Sequence, residues 1–232
     1  MIVAPFATAA DGIAREAALL QAGRPALLLW QADARALVLP TAVARRGGVQ
    51  PVTAGLERDG LDIVSRGSGG GIVPQGPCTL NLAMVLPCVS DFAMQDGYHL
   101  ICGAVAEALT RFDISTQTGA CPGSFCDGAW NVLVGGRKLA GTAQRWRSTP
   151  KGRVALLHAA IMLHMPDPGH WADLCLLHQA AFPDHPALCP EAHAPLNRLM
   201  PGNMSLTSVP GALIRAAEDR LFAFTHREDQ AA

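Results

Sequence analysis

Apolar residues recur at helical spacing through IAREAALLQA (13–22), with Asp11 placed to cap the start and Gly23 and Pro25 to stop it. Two short apolar runs follow, ALLLW (26–30) and ALVLP (36–40), and their spacing predicts a β-hairpin or two adjacent strands. Residues 42–60 read as loop and then a short helix over 52–58. A brief strand at 61–64 feeds the run SRGSGGG (65–71), 72–77 reads as loop, and TLNLAMVL (79–86) alternates like a strand. The longest helix candidate is 93–111, with Leu100, Val105, Ala108 and Leu109 on one face. Residues 130–134, the pair Gly135-Gly136 and residues 138–143 predict a glycine-turned hairpin, and 154–162 continues the sheet. Beyond Pro166 prolines and histidines become frequent, with helices expected near 170–181, 191–199 and 209–224.

Strands in adjacent runs with helices between them predict an α/β (α+β) fold. Its sheet should be mixed, largely antiparallel and covered by helices, rather than doubly wound and parallel. At 232 residues, half of them apolar and 16% charged, the chain can bury a sizeable core. Eighteen basic residues against nineteen acidic give a net charge of -1, which argues against nucleic-acid binding by phosphate neutralisation. No apolar run approaches the roughly 20 residues of a membrane span. The N-terminal apolar stretch lacks a basic lead and is broken by Asp11, Arg15 and Glu16, so no signal peptide is expected. Seven cysteines without paired spacing read as free thiols, and the expectation is a cytoplasmic enzyme.

Three features carry candidate chemistry. The glycines 69–71 strip the backbone of side chains, so its N–H groups can face a carbonyl or phosphate. They open no helix, since Ile72-Val73-Pro74 follows, which excludes a dinucleotide fingerprint; the bland alternative is a flexible surface loop. Cys126, in the loop GSFCDG, is a candidate nucleophile that needs a nearby cation to ionise. Its alternatives are a buried structural thiol, a nucleophile at Cys121 instead, or a Cys121–Cys126 disulfide. Lys138 could supply that cation across the hairpin, or could be a solvated edge lysine. The chain has only two lysines, Lys138 and Lys151, among its 18 basic residues, so a lysine inside GGRKLAG is notable. Six histidines fall between His158 and His193 without metal-binding spacing, and no GxSxG elbow marks a Ser-His-Asp triad.

SRGSGGGIVPQGPCTLNL resembles the RRxSGGG loop of the lipoate–protein ligase and biotin-ligase superfamily, and GGRKLAGTAQRW its GRKxxGxAxR segment. The fit is nearest to the cysteine-dependent octanoyl- and lipoyl-transferases, whose GSYCPG-type loop is GSFCDG here. The resemblance implies a lipoate-protein ligase A-like catalytic domain over 1–183 and a helical extension over 184–232 packed on it. It implies that an octanoyl or lipoyl group passes through a Cys126 thioester to a lysine of a lipoyl-domain protein. That acceptor would be an H protein or the E2 subunit of a 2-oxoacid dehydrogenase, and the donor another lipoyl-bearing protein or an acyl carrier protein. Cys126 and Lys138 would be catalytic. Arg66, Ser68, Gly69, Gly70, Gly71, Asn81, Gly141, Thr142 and Ala143 would hold the substrate, with no metal and no cofactor.

Trp130-Asn131 stands where the ATP-using ligases carry Asn-Asp, and the tail after Pro166 is shorter than their accessory domain; both favour a transferase. Asp127 replaces an expected proline and sets a carboxylate beside the thiol. The alternatives are an ATP-Mg-dependent ligase and a non-catalytic binder of lipoyl domains or acyl ligands. Arg137, Arg145, Arg147, Lys151 and Arg153 are either a docking face for an acidic lipoyl domain or acyl carrier protein, or an ordinary solvated strand edge.

Overall fold

The computed structural model describes residues 3–88, 92–150 and 152–231. The chain runs β1 (Val3–Phe6), α1 (Ala9–Ala22), β2 (Ala26–Ala32), β3 (Ala36–Pro40), α2 (Thr41–Ala44), α3 (Gln50–Arg58), β4 (Asp62–Arg66), β5 (Val73–Gln75) and β6 (Thr79–Cys88). It continues through α4 (Met94–Thr110), β7 (Gln117–Gly119), β8 (Asn131–Val134), β9 (Arg137–Thr149), β10 (Gly152–Met162), α5 (Pro168–Ala181) and α6 (Val209–Ala231).

Seven strands form one sheet in the order β1-β2-β6-β10-β9-β8-β7, and three form a second in the order β4-β3-β5. In the large sheet only β1 and β2 run parallel, so the mixed, largely antiparallel sheet expected from sequence is present. The side-chain period of two then sorts β6 onto two faces. Leu80, Leu82, Met84 and Leu86 join Val105 of α4 and Leu213 of α6 in the main core. Ala83 and Val85 face the other way, onto Leu20 of α1. That second face also meets the small sheet. In β3, Leu37 and Leu39 pack with Leu174 and Leu177 of α5, while Ala36 and Val38 pack on Trp30 of the large sheet. The site lies between the two sheets.

Several boundaries differ from the sequence expectation. Helix α1 starts one turn earlier: Thr8 is its cap, and Asp11 closes a capping box by accepting from the Thr8 N–H at 3.2 Å. The apolar runs at 26–30 and 36–40 are not neighbours. Strand β2 already has β1 and β6 on its two edges, so β3 stacks above it in the other sheet. The expected loop at 72–77 holds strand β5, an edge strand, where Pro74 has no ladder bond to lose. The expected helix at 191–199 is instead two 3-10 turns at Pro190–Ala192 and Leu196–Arg198, because Pro190 and Pro195 cannot donate to a helical ladder. The glycine hairpin is as expected: Gly135 and Gly136 take φ 56° and 75°, which a two-residue turn between twisted strands requires.

Helix α1 turns Gly12, Glu16 and Leu20 inward at i, i+4 spacing. A Cβ at Gly12 would run into the ring of Trp30, which is itself fully buried and cannot move aside. Gly12→Ala is therefore expected to cost about 1–3 kcal/mol, measured as a shift in the denaturant midpoint with unchanged slope.

Candidate active site

A cavity separates the two sheets. Its floor is the inner face of the large sheet, from Asn81 of β6 across His158 and Ala160 of β10 to Gly141 and Ala143 of β9. Val38, Val73 and Arg66 of the small sheet roof it, and Ile13 and Glu16 of α1 wall one side. Phe125, Cys126 and Lys138 also line it. A second, larger cleft lies beyond Cys126, bordered by Gly70, Gly71, Asp127 and Phe182. Cys126 faces both spaces.

The cysteine loop is held by polar groups at each step. Lys138 is wholly buried, and its ammonium donates to the carbonyls of Phe125 and of Cys126, the latter at 2.7 Å. The ammonium also lies 5.0 Å over the Phe125 ring. Asp127 turns its carboxylate into the loop, accepting from the N–H of Cys121 at 2.7 Å and from Asn131 Nδ2 at 2.9 Å. The carboxylate that sequence set against the thiol thus serves as the loop's clasp. Cys126 itself takes φ 49°, a left-handed conformation that costs a non-glycine residue of order 1 kcal/mol and needs such surroundings to persist.

The glycine run meets this loop closely. Gly71 N–H donates to Cys126 Sγ at 2.9 Å. A Cβ at Gly70 would lie 2.8 Å from that sulfur, and one at Gly71 would lie 2.9 Å from Cys126 Cα, so neither position can carry a side chain. Arg66 folds the run by donating to the carbonyls of Val38, Gly69 and Gly71. Burial pushes the Arg66 guanidinium and the Lys138 ammonium below their ordinary values, and charge on Cys126 opposes the shift in both. Positive charge is therefore gathered around the sulfur, where acyl transfer would develop negative charge.

Of the residues singled out from sequence, Cys126, Lys138, Arg66, Asn81, Gly141, Thr142 and Ala143 line one cavity. Gly70 and Gly71 face the outer cleft, Ser68 faces an adjoining crevice, and Gly69 is exposed. Cys121 is buried with its thiol toward the Gly136 and Ala192 carbonyls, away from both spaces, and neither it nor Cys126 is in a disulfide. Lys138 is no edge lysine. Among the arginines of the candidate docking face, Arg147 donates to the Leu20 and Gln21 carbonyls, and Arg153 donates to Phe92 and stacks on Trp146. Those two serve internal anchoring, and Lys151 lies outside the described residues.

Sequence reasoning missed three residues. Glu16 is buried with its carboxylate accepting from Trp30 Nε1 at 2.9 Å and meeting His158 Nδ1 at 2.9 Å. His158 Nε2 in turn meets Ser68 Oγ at 3.0 Å, so a Ser–His–carboxylate row exists without the elbow sequence. His193, read only as one of many histidines, accepts from the Phe125 N–H at 3.2 Å, stacks on that ring and continues Lys138 as an isolated bridge. The one signal available was Glu16, a carboxylate on the apolar i, i+4 stripe of α1.

The sequence matches the lipoyl protein ligase A/B catalytic domain over residues 8–218. The chain belongs to this family. It is 37% identical over 147 residues to an octanoyl-[GcvH]:protein N-octanoyltransferase of Kyrpidia tusciae, covering 60% of this chain and 50% of that one. The match thus spans about half the length of that relative. A protein of Cupriavidus necator without assigned function is 34% identical over 170 residues, covering 66% of this chain and 67% of its own. Among solved structures, a lipoate protein ligase of Thermoplasma acidophilum with bound lipoic acid superposes with a TM-score of 0.73. It covers 96% of this chain and 84% of its own at 19% identity, a likeness of fold.

The ATP-using members of the family bring magnesium and adenylate into question. Here Trp130 lies flat on Tyr98, with ring centroids 5.1 Å apart, and Asn131 spends its amide N–H groups on Asp127 and Gly128. Neither offers a carboxylate to a magnesium ion, so these residues do not fit that group.

Burial, and next the Lys138 charge, lower the His193 pKa to about 4. Its Nε2 must stay unprotonated to accept from Phe125, so the folded state excludes a proton that the unfolded chain takes up near 6.5. Stability from this source is full above pH 6.5 and is lost as pH falls toward 4, by up to about 3 kcal/mol. Denaturation of His193→Gln is expected to vary less across that window than the parent; an equal slope would clear His193 as the source.

Proposed function

We propose that this chain is an acyltransferase that carries an octanoyl or lipoyl group as a thioester on Cys126 and passes it to a lysine of a lipoyl-domain protein. The observation that carries the reading is Cys126 Sγ, held 2.9 Å from the Gly71 N–H at the end of a largely apolar cavity and flanked by the buried cations Lys138 and Arg66. The acyl chain would lie in that cavity between the sheets, and the outer cleft would admit donor and acceptor.

In the first step the sulfur attacks the donor carbonyl, the thioester C–S bond forms, and the donor leaves with a proton as amine or thiol. In the second, the acceptor ε-amine attacks the thioester, the C–N bond forms, and the sulfur leaves. Two of the three Lys138 ammonium protons are spent on carbonyls, which leaves one for the oxyanion of each tetrahedral intermediate. Neither step draws on a metal or cofactor. The relatives whose names carry GcvH support an H protein as partner; an E2 lipoyl domain as further acceptor and an acyl carrier protein as alternative donor complete the proposal. An unpaired thiol nucleophile suits the reducing cytoplasm. Among the described residues, no helix is long and apolar enough to cross a membrane.

The second reading, an ATP-dependent ligase, draws on the fold of the structural neighbours and is disfavoured by Trp130 and Asn131. Incubation with octanoylated H protein, followed by intact mass spectrometry, is expected to add one octanoyl group that Cys126→Ser abolishes. Lys138→Met should slow loading at least about 100-fold. Adenylate formed from lipoate and MgATP, surviving loss of Cys126, would establish the ligase. Acyl-ligand binding without turnover and indifferent to Cys126 would establish a binder.

A further inference from the structure

We propose that Ser68, His158 and Glu16 form a second, serine-based centre that hydrolyses acyl esters, in a crevice beside the cavity that holds Cys126. The three side chains stand in relay order, Ser68 Oγ to His158 Nε2 at 3.0 Å and His158 Nδ1 to Glu16 Oε2 at 2.9 Å. A triad is recognised by such geometry and not by sequence order. The other Glu16 oxygen is fixed by Trp30 Nε1 at 2.9 Å, so the carboxylate is oriented before any substrate arrives. All three residues line a crevice walled by Ile13, Ala17 and Leu156, and Glu16 and His158 also border the cavity that holds Cys126.

A cation supplies charge for a developing oxyanion. Arg145 lines the crevice and brings its guanidinium so close to Gly67 that a Cβ there would lie 2.5 Å from it, setting a cation at the entrance.

The chemistry balances with water alone. Ser68 Oγ attacks the ester carbonyl and its proton passes to His158 Nε2, while the Nδ1–H stays on the imidazole and donates to Glu16. The C–O bond to the leaving group breaks, and the departing alcohol takes the proton from His158. Water then attacks the acyl-serine, its proton passes through His158 to Ser68 Oγ, and the carboxylic acid leaves. Cys126 takes no part, so this centre stands or falls apart from the transferase reading.

The test uses p-nitrophenyl butyrate and a fluorophosphonate probe. The full chain carrying Cys126→Ala is expected to release p-nitrophenol catalytically, and adding Ser68→Ala or His158→Gln in that background should lower the rate at least about 100-fold. On the unsubstituted protein the fluorophosphonate should form an adduct that peptide mass spectrometry places on Ser68. Equal hydrolysis with and without Ser68, or a folded native protein that leaves Ser68 unlabelled, would overturn the proposal. Failure of octanoyl loading on Cys126 would count against the transferase alone.

Discussion

The buried ammonium of Lys138 organises the site. A lysine with no exposed surface is costly unless its charge is met by hydrogen bonds. Here the carbonyls of Phe125 and Cys126 meet it, and so the loop before β8 is drawn over a strand that follows it in sequence. The left-handed backbone at Cys126, the Asp127 clasp and the His193 stack all follow from holding those two carbonyls in place. One residue thereby both shapes the cysteine loop and brings positive charge to it.

The two-sheet arrangement gives this chemistry its enclosure. Because β3 stacks over β2 and does not pair with it, a space remains between the layers, floored by small residues such as Gly141, Ala143 and Ala160. A Cβ at Gly141 would come within 3.2 Å of the Lys138 ammonium, so smallness there protects the cation's position. The tail residues Leu196, Val209 and Leu213 belong to the main core on the opposite face, which stiffens the sheet without entering the cavity. Outside the cavity, Trp130 is stacked on Tyr98.

Much of the site was legible because its signals are local. Three glycines in a row, a cysteine in a loop, and a lysine just past a Gly-Gly turn each announce a backbone or chemical need within a few residues. The hairpin at Gly135-Gly136 and its bearing on Cys126 follow from turn geometry alone. Other parts were illegible for a stated reason. Glu16, His158 and His193 acquire meaning only from partners 142, 90 and 68 residues away. The arginines of β9 and β10 looked like one charged face, yet Arg147 and Arg153 reach back to α1 and to Phe92.

The sequence by itself determined the mixed fold class, the glycine turns, the family and the nearness of Lys138 to the Cys126 loop, all written in short-range pattern and residue type. Only the tertiary structure decided that β2 and β3 belong to different sheets, that Lys138 is buried among carbonyls, and that Ser68, His158 and Glu16 align. The physical reason is that edge availability, burial and hydrogen-bond partnership are properties of neighbours in space. A single chain of letters does not list those neighbours until the strands have chosen their sheets.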